Sequence, residues 1–426
     1  MILEKSRLEG VVKVSGAKNS ALRLMAASLL TSERVTLQNY PASISDAAIQ
    51  AAMLEKLGKT CAFPDGDTLV IEEHDSTPTA LVWEGRSIRN TLLMLGALTA
   101  RKGEAAVPLP GGCQLGSRPF DLHEMVLRAL GADVYQENNM LCAVTRNRRL
   151  KGADIRLPIR STGATEHAIV AGSLSEGVTR VWNPHVRPEI VDLVNFLNSM
   201  GAKIRVFGQE HIEIAGVDVL GGTTHKIISD NMEAITWLIG TAITGGDVVI
   251  RDFPTSDLEV AMIHLRASGA SFHSKDNKLF VKAGRCYPLE ISTGPHPGIN
   301  SDVQPIMAAF AAQALGMSRI IDLRFPGRYG YVQEMAKMGV QFQIRDNILS
   351  IHGKGGHLRG ATVKALDLRA GAALALCALT ANSETTVLDA WQIDRGYNNF
   401  IQKLQGLKAK VFPLANQASV SAAKQW

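Results

Sequence analysis

The sequence predicts an α/β protein of two lobes, each built from three repeats of a helix–strand–helix–strand module, with sheets folded around buried helices. Three observations predict it. A short ending recurs about every seventy residues along the 426-residue chain. A long apolar, Ala-rich stretch precedes each copy. The chain is also longer than the roughly 250–300 residues that one hydrophobic core sustains.

LEKLGK (54–59), LRALGADV (127–134), LNSMGAKI (197–204), LRASGASF (265–272), MAKMGVQF (335–342) and LQGLKAKV (404–411) each read as a helix C-terminus, a left-handed cap and a strand. Gly58, Gly131, Gly201, Gly269 and Gly339 supply the cap. The last copy carries Lys408 there, so a differently made cap is expected.

NSALRLMAASLLTSERVTL, RNTLLMLGALTARKGEAAV, TEHAIVAGSLSEGVTRVW, MEAITWLIGTAITGGDVVI, VQPIMAAFAAQALGMSRII and AGAALALCALTANSETTVL share one layout. Each is a helix apolar on nearly every side, then a polar turn, then a β-branched strand. Helices apolar all round are buried, and six of them need sheets to surround them. Three modules make roughly 210 residues, and a period near seventy is too long for the solenoids of 20–50 residues. Two closed pseudo-threefold lobes follow.

Composition narrows the function. The net charge of +5 is mild and dispersed, which argues against a nucleic-acid partner and fits anionic small molecules. No apolar run reaches the eighteen or so residues of a membrane span, and MILEKSRLEGVVKVSG lacks the layout of a signal peptide. Cysteines 61, 113, 142, 286 and 377 show neither metal spacing nor a disulfide framework. A cytoplasmic protein without a membrane association is expected, of undetermined oligomeric state.

Charged residues gather where the modules begin. SGAKNSAL places Lys18 and Asn19 at the mouth of the first buried helix, where free amides and a lysine together favour an anion. Arg89 and Arg369 stand at equivalent points of the second and sixth modules, and Asp302 at that of the fifth. Arg328 and Arg395 open the helices that follow. Taken singly, each arginine reads equally as a solvated surface residue, and Asp302 as an N-cap. Taken jointly, the cations would hold a multiply charged anion, and Asp302 would act as a base beside them. PLPGGCQLGSRPFDLH (108–123) sets Cys113 on a glycine-rich turn near Arg118. That stretch is either a plain turn or a reactive thiol beside a cation.

These motifs resemble the UDP-N-acetylglucosamine enolpyruvyl transferase (1-carboxyvinyltransferase) family, and more distantly its shikimate-pathway relative. The match runs nearly end to end through SGAKNSAL, PLPGGC…GSRPFDLH, STGATEH (161–167), PHPGINSDVQP (295–305), DLRAGA and QIDRGY. The resemblance implies two inside-out α/β barrels, residues 20–227 and residues 1–19 plus 228–426, with the active site in the cleft between them. It implies transfer of the enolpyruvyl group of phosphoenolpyruvate to the 3-hydroxyl of UDP-N-acetylglucosamine in peptidoglycan precursor synthesis, with release of phosphate and no cofactor or metal. Cys113 corresponds to the acid that protonates the methylene carbon and is alkylated by fosfomycin, and Asp302 to the base at the acceptor hydroxyl. Lys18, Arg118 and Arg395 correspond to phosphate-binding cations, Arg328 and Arg369 to those around the carboxylate, and Arg89 to another cation of that rim. Asn19 corresponds to a substrate contact. The acceptor's uridine end corresponds to Arg118, Pro119, Phe120, Asp121, Leu122 and His123, with Ser161, Thr162 and Gly163.

The sequence departs from that pattern on the acceptor side. Pro326-Gly327 replaces a common Glu-Asn pair before Arg328, and Arg324 takes the place of an apolar residue. Arg160, Thr162, Val186-Arg187 and Asn231 differ as well. Neutral drift is one reading. Another is a different acceptor, such as the 3′-hydroxyl of UMP in nucleoside-antibiotic synthesis, with Arg324 meeting its phosphate. A third is a non-catalytic, ligand-binding homologue.

Overall fold

The computed structural model describes residues 1–110 and 120–414. The chain divides into two compact units: Met1–Ser15 with the chain from Ser229 onward, and Gly16–Ile228. The first crossing thus lies before Lys18 and Asn19, not after them as the family pattern implies. Local packing accounts for this. A Cβ on Gly16 would stand 1.8 Å from the Asn39 carbonyl oxygen, and the Ala17 N–H donates to the Ile228 carbonyl at 2.7 Å. Ser15 is held in the other unit. Its N–H donates to Glu233 Oε2 at 3.1 Å, and its carbonyl accepts from the Asp230 N–H at 2.8 Å.

In Gly16–Ile228 the inner helices are Lys18–Ala27, Thr91–Lys102 and Thr162–Gly172, the second packing on both others. Ten of the twelve residues of Thr91–Lys102 are buried, which is what an all-round apolar helix requires. Three sheets complete the unit. One orders Thr223–Lys226, Val35–Gln38, Thr68–Glu73 and Lys59–Asp65. Another orders Glu104–Pro108, Met140–Thr145 and Ala132–Glu137. The third orders Lys203–Phe207, His211–Ala215, Val178–Trp182 and Asp154–Arg156.

The strands leaving Thr162–Gly172, Gln304–Gln313 and Leu368–Ala378 pair parallel with the strands that enter those helices and antiparallel with a further strand. Val178–Trp182 does so with Asp154–Arg156 and His211–Ala215. The module is therefore βαβαββ, two strands longer than the sequence pattern. The entering strands have three residues in Asp154–Arg156, Glu290–Ser292 and Thr362–Lys364, too few to display an alternating pattern.

The other unit repeats the plan around Asn231–Ile243, Gln304–Gln313 and Leu368–Ala378. Every residue of the last two helices is buried, Arg369 included. The N-terminal segment closes two of its sheets. Glu9–Lys13 lies parallel to Asp247–Arg251, and Ile2–Leu3 fits between Thr385–Leu388 and Val411–Phe412. Among the described residues no helix is long and apolar enough to cross a membrane.

The recurring endings share a left-handed cap residue, and those at Gly201, Gly269, Gly339 and Lys408 close with the 6→1 hydrogen bond of a Schellman motif. Gly58, Gly131, Gly201, Gly269 and Gly339 all have positive φ, from 79° to 102°. Lys408 adopts the same conformation at φ 65°, with Ala409 N–H donating back to the Leu404 carbonyl at 2.9 Å. The expected difference in the sixth cap is not found. The lysine takes the glycine's backbone and accepts the strain.

Candidate active site

The unit that begins again at Ser229 carries one charged cluster. Asn300, Ser301 and Asp302 lead into the Gln304–Gln313 helix. The capping acceptor is Asn300, whose Oδ1 receives the Asp302 N–H at 3.0 Å. Asp302 is thus not the N-cap, and its carboxylate faces two guanidinium groups. Arg328 Nη1 donates to Asp302 Oδ1 at 3.0 Å, and Arg369 Nε stands 4.0 Å from Oδ2. Asp367 caps the Leu368–Ala378 helix, accepting the N–H groups of Arg369 and Ala370 at 2.7 and 2.9 Å. Its other oxygen lies 3.8 Å from Arg328 Nη2.

Arg369 is only 2% exposed and lies over the Tyr397 ring, 5.0 Å from its centroid. Burial works against its charge, but Tyr397, Asp302 and Asp230 outweigh this and raise its pKa above the ordinary value. Its Nε and Nη1 are buried donors without a hydrogen-bond partner. Native structures leave few such groups unmatched. Arg395, also buried, donates from Nη1 to Gln392 Oε1 at 3.0 Å.

Asp322 holds the loop beside this cluster. Fully buried, it accepts the hydroxyls of Thr293 and Ser301 at 2.9 and 2.5 Å and the N–H groups of Arg324 and Phe325 at 3.0 and 2.9 Å. It therefore ties the turn carrying Asp302 to the loop carrying Arg328. Arg324 is exposed and stacks 5.5 Å from the Phe325 centroid, with Arg328 5.8 Å from the same ring. Pro326-Gly327 forms a turn in which Gly327, at φ 79°, donates its N–H to Asn347 Oδ1 at 2.9 Å.

Gly16–Ile228 carries a second cluster. Lys18 opens its helix and donates to Asp46 Oδ2 at 2.7 Å, while Arg86 Nη2 donates to Oδ1 at 2.5 Å. Asn19 follows in the first turn. Arg89 precedes Asn90, whose amide donates to the Leu22 carbonyl and Gln50 Oε1 at 2.7 and 2.8 Å. Ser161 caps Thr162–Gly172 by accepting the Ala164 N–H at 3.3 Å, and Thr162 Oγ1 meets His185 Nδ1 at 2.8 Å. The ring of His123 lies against Gly163, where a Cβ would approach Nε2 to 2.8 Å. Phe120 precedes the Asp121–Ala129 helix, in which Asp121 and Leu122 open the first turn. The Arg187 guanidinium grips the buried Glu189 carboxylate at 2.6 and 2.7 Å.

Of the residues singled out from sequence, Asp302, Arg328 and Arg369 come together, and His123 meets Gly163. Lys18 pairs with Asp46. Cys113, Arg118 and Pro119 lie outside the described residues. Sequence reasoning passed over Asp46, Asp322, Asp367, Tyr397 and His167. A signal was present for Asp367, an N-cap type directly before an apolar run. None was present for Asp322, whose role arises from contacts across twenty-odd residues of chain.

The two-unit inside-out α/β fold, with arginines and a carboxylate at inner-helix starts, agrees with the carboxyvinyltransferase class that the sequence motifs resemble. Residues 2–404 match the family model of EPSP synthase (3-phosphoshikimate 1-carboxyvinyltransferase), and the chain belongs to that carboxyvinyltransferase family. It is 40% identical over 410 residues to UDP-N-acetylglucosamine 1-carboxyvinyltransferase 2 of Carboxydothermus hydrogenoformans, covering 96% of this chain and 97% of the relative. The corresponding enzyme of Zymomonas mobilis is 39% identical over 95% of this chain and 96% of its own. Among solved structures, the enolpyruvyl transferase NikO from Streptomyces tendae superposes with a TM-score of 0.85 at 24% identity, over 96% of this chain and 97% of its own. That likeness is one of fold. EPSP synthase from Acinetobacter baumannii follows with a TM-score of 0.76 at 19% identity, over 95% of this chain and 97% of its own.

Proposed function

We propose that this enzyme transfers the carboxyvinyl group of phosphoenolpyruvate to a hydroxyl of UDP-N-acetylglucosamine, releasing inorganic phosphate in a step of cell-wall precursor synthesis. Relatives bearing that activity in their names share 40% and 39% identity with nearly the whole chain. The observation that carries the reading is Arg369, a buried guanidinium beside Asp302 with two unmatched donors. Such a group suits the carboxylate of phosphoenolpyruvate, with which arginine makes paired hydrogen bonds.

The residues then take definite parts. The acceptor oxygen attacks C2 of phosphoenolpyruvate and gives its proton to Asp302, while C3 receives a proton from Cys113. The resulting tetrahedral adduct carries both carboxylate and phosphate. Arg328 and Arg369 hold the first, and Lys18, Arg118 and Arg395 the second, with Arg89 nearby; cations fixed in advance stabilise such charge better than water does. Return of a C3 proton to the Cys113 thiolate, with cleavage of the C2–O bond to the phosphate, expels phosphate and restores the vinyl group. Asn19, the segment Arg118–His123 and Ser161–Gly163 hold the acceptor. A cytoplasmic location belongs to the same proposal, supported by free Cys61, Cys142, Cys286 and Cys377.

One feature favours UMP as an alternative acceptor: Arg324 is an exposed cation stacked on the same ring as Arg328. Phosphate release from phosphoenolpyruvate, with UDP-N-acetylglucosamine and UMP offered separately, tests both. Release with the sugar nucleotide supports the proposal. Release with UMP alone overturns it, and Arg324→Val should then weaken UMP binding.

A further inference from the structure

Two buried histidines of the Gly16–Ile228 unit face each other. His123, on the Asp121–Ala129 helix, and His167, on the Thr162–Gly172 helix, bring their Nδ1 atoms to 2.9 Å. The rings are tilted by 59° with centroids 5.1 Å apart. In such a pair one Nδ1 carries the proton and the other accepts it.

Burial decides which. His167 is fully buried, and its Nε2 has no hydrogen-bond partner. That atom lies against Gly96, where a Cβ would stand 2.5 Å away. A buried N–H without an acceptor is rarer than an under-used acceptor, so the His167 proton belongs on Nδ1, donated to His123. Burial also pushes the His167 imidazole down to about 3, so it takes up no second proton near neutrality. His123, accepting at Nδ1, then keeps its own proton on Nε2. That Nε2 lies over the first turn of Thr162–Gly172, where a helix N-terminus disfavours an imidazolium.

The two glycines belong to the same arrangement. Gly96 sits mid-helix, where glycine is less favourable than alanine, and a side chain there would strike His167. A side chain at Gly163 would strike His123.

We propose that His167 is a positioning residue that locks His123 as its Nε2–H tautomer, so that His123 offers a hydrogen-bond donor to an oxygen of the acceptor nucleotide at the Ser161–Gly163 turn. This rests on the reading of that turn as an acceptor-binding segment. The partner oxygen is a uracil carbonyl or a phosphoryl oxygen.

Nitrogen-15 NMR of the histidine-labelled protein at neutral pH tests the tautomer directly. The expected result is Nε2–H for His123 and Nδ1–H for His167; the reverse assignment overturns the inference whatever the enzyme's substrate. Kinetics test the role. His167→Asn, whose amide can still donate to His123 Nδ1, should keep both the signature and the acceptor KM. His167→Leu should mix the His123 tautomers and raise the acceptor KM roughly threefold to tenfold, leaving the KM for phosphoenolpyruvate unchanged. His123→Ala should raise the acceptor KM likewise, with the KM for phosphoenolpyruvate unchanged. Weaker competition by uridine in His123→Ala marks the base as partner, and weaker competition by UDP alone marks a phosphoryl oxygen. An unchanged acceptor KM in folded His167→Leu and His123→Ala overturns the role. Failure of the wild-type protein to use UDP-N-acetylglucosamine or UMP instead sinks the function, with the tautomers still to be read by NMR.

Discussion

A guanidinium at 2% exposure is expensive to bury, and Arg369 bears that cost with two donors unmatched. The cost makes sense if the donors meet a ligand. Arg369→Met, of similar length and without charge, should therefore separate stability from activity. Thermal melting should show a fold as stable as the wild type or more so. The kcat/KM for phosphoenolpyruvate should fall at least about a hundredfold, since hydrogen bonds to charged groups contribute roughly 1.5–3 kcal/mol each. Equal losses of both would make Arg369 a structural residue. Sequence alone left Asp302 open between cap and base, because Asn300, Ser301 and Asp302 are all good capping types. The geometry assigns the cap to Asn300, which only the backbone angles of that turn could decide.

Elements were legible in proportion to how strongly burial patterned them. The six inner helices declared themselves by being apolar on every side, while three-residue entering strands left no periodic trace. The sixth cap departs from expectation because residue type alone does not dictate a backbone conformation. Lys408 holds a left-handed backbone that costs an L-residue about 1–2 kcal/mol. Lys408→Gly should thus raise stability by roughly 0.5–1 kcal/mol, read by urea unfolding, despite losing the exposed contact of Lys408 with Glu9. Strands and helix are also joined by charge. Glu73 Oε2 accepts from Lys59 Nζ at 2.9 Å and Arg101 Nη1 at 2.6 Å. Burial pushes the Glu73 carboxyl up, but Arg101 and Lys59 outweigh it and bring it down to about 2. Its folded pKa lies below the unfolded value, so its stabilisation is complete above about pH 4.5 and is lost as pH falls toward 2. Glu73→Gln should flatten that acid limb and lower stability at neutral pH, measured by unfolding across pH.

For the molecule as a whole, the seventy-residue period foretold two lobes of three modules, and the fold repeats that plan with the N-terminal segment closing two sheets of the later unit. A crossing of that kind leaves no local mark in the sequence, since residues 1–15 find their partners hundreds of positions away. Four of the six motifs that revealed the family, SGAKNSAL, STGATEH, PHPGINSDVQP and DLRAGA, lie where inner helices begin, so motif and repeat were legible together. The acceptor was not: the departures from the family pattern fall in loops such as 322–328, whose backbone is held by Asp322. The central claim is transfer by addition and elimination. Its most direct test is the reaction of phosphoenolpyruvate and UDP-N-acetylglucosamine in deuterium oxide, followed by mass and NMR analysis of the products. Protonation at C3 creates a methyl group that then loses one hydrogen. The predicted outcome is one phosphate per enolpyruvyl ether, with deuterium in the vinyl group. An ether without vinyl deuterium, or phosphate released alongside free pyruvate, would contradict it.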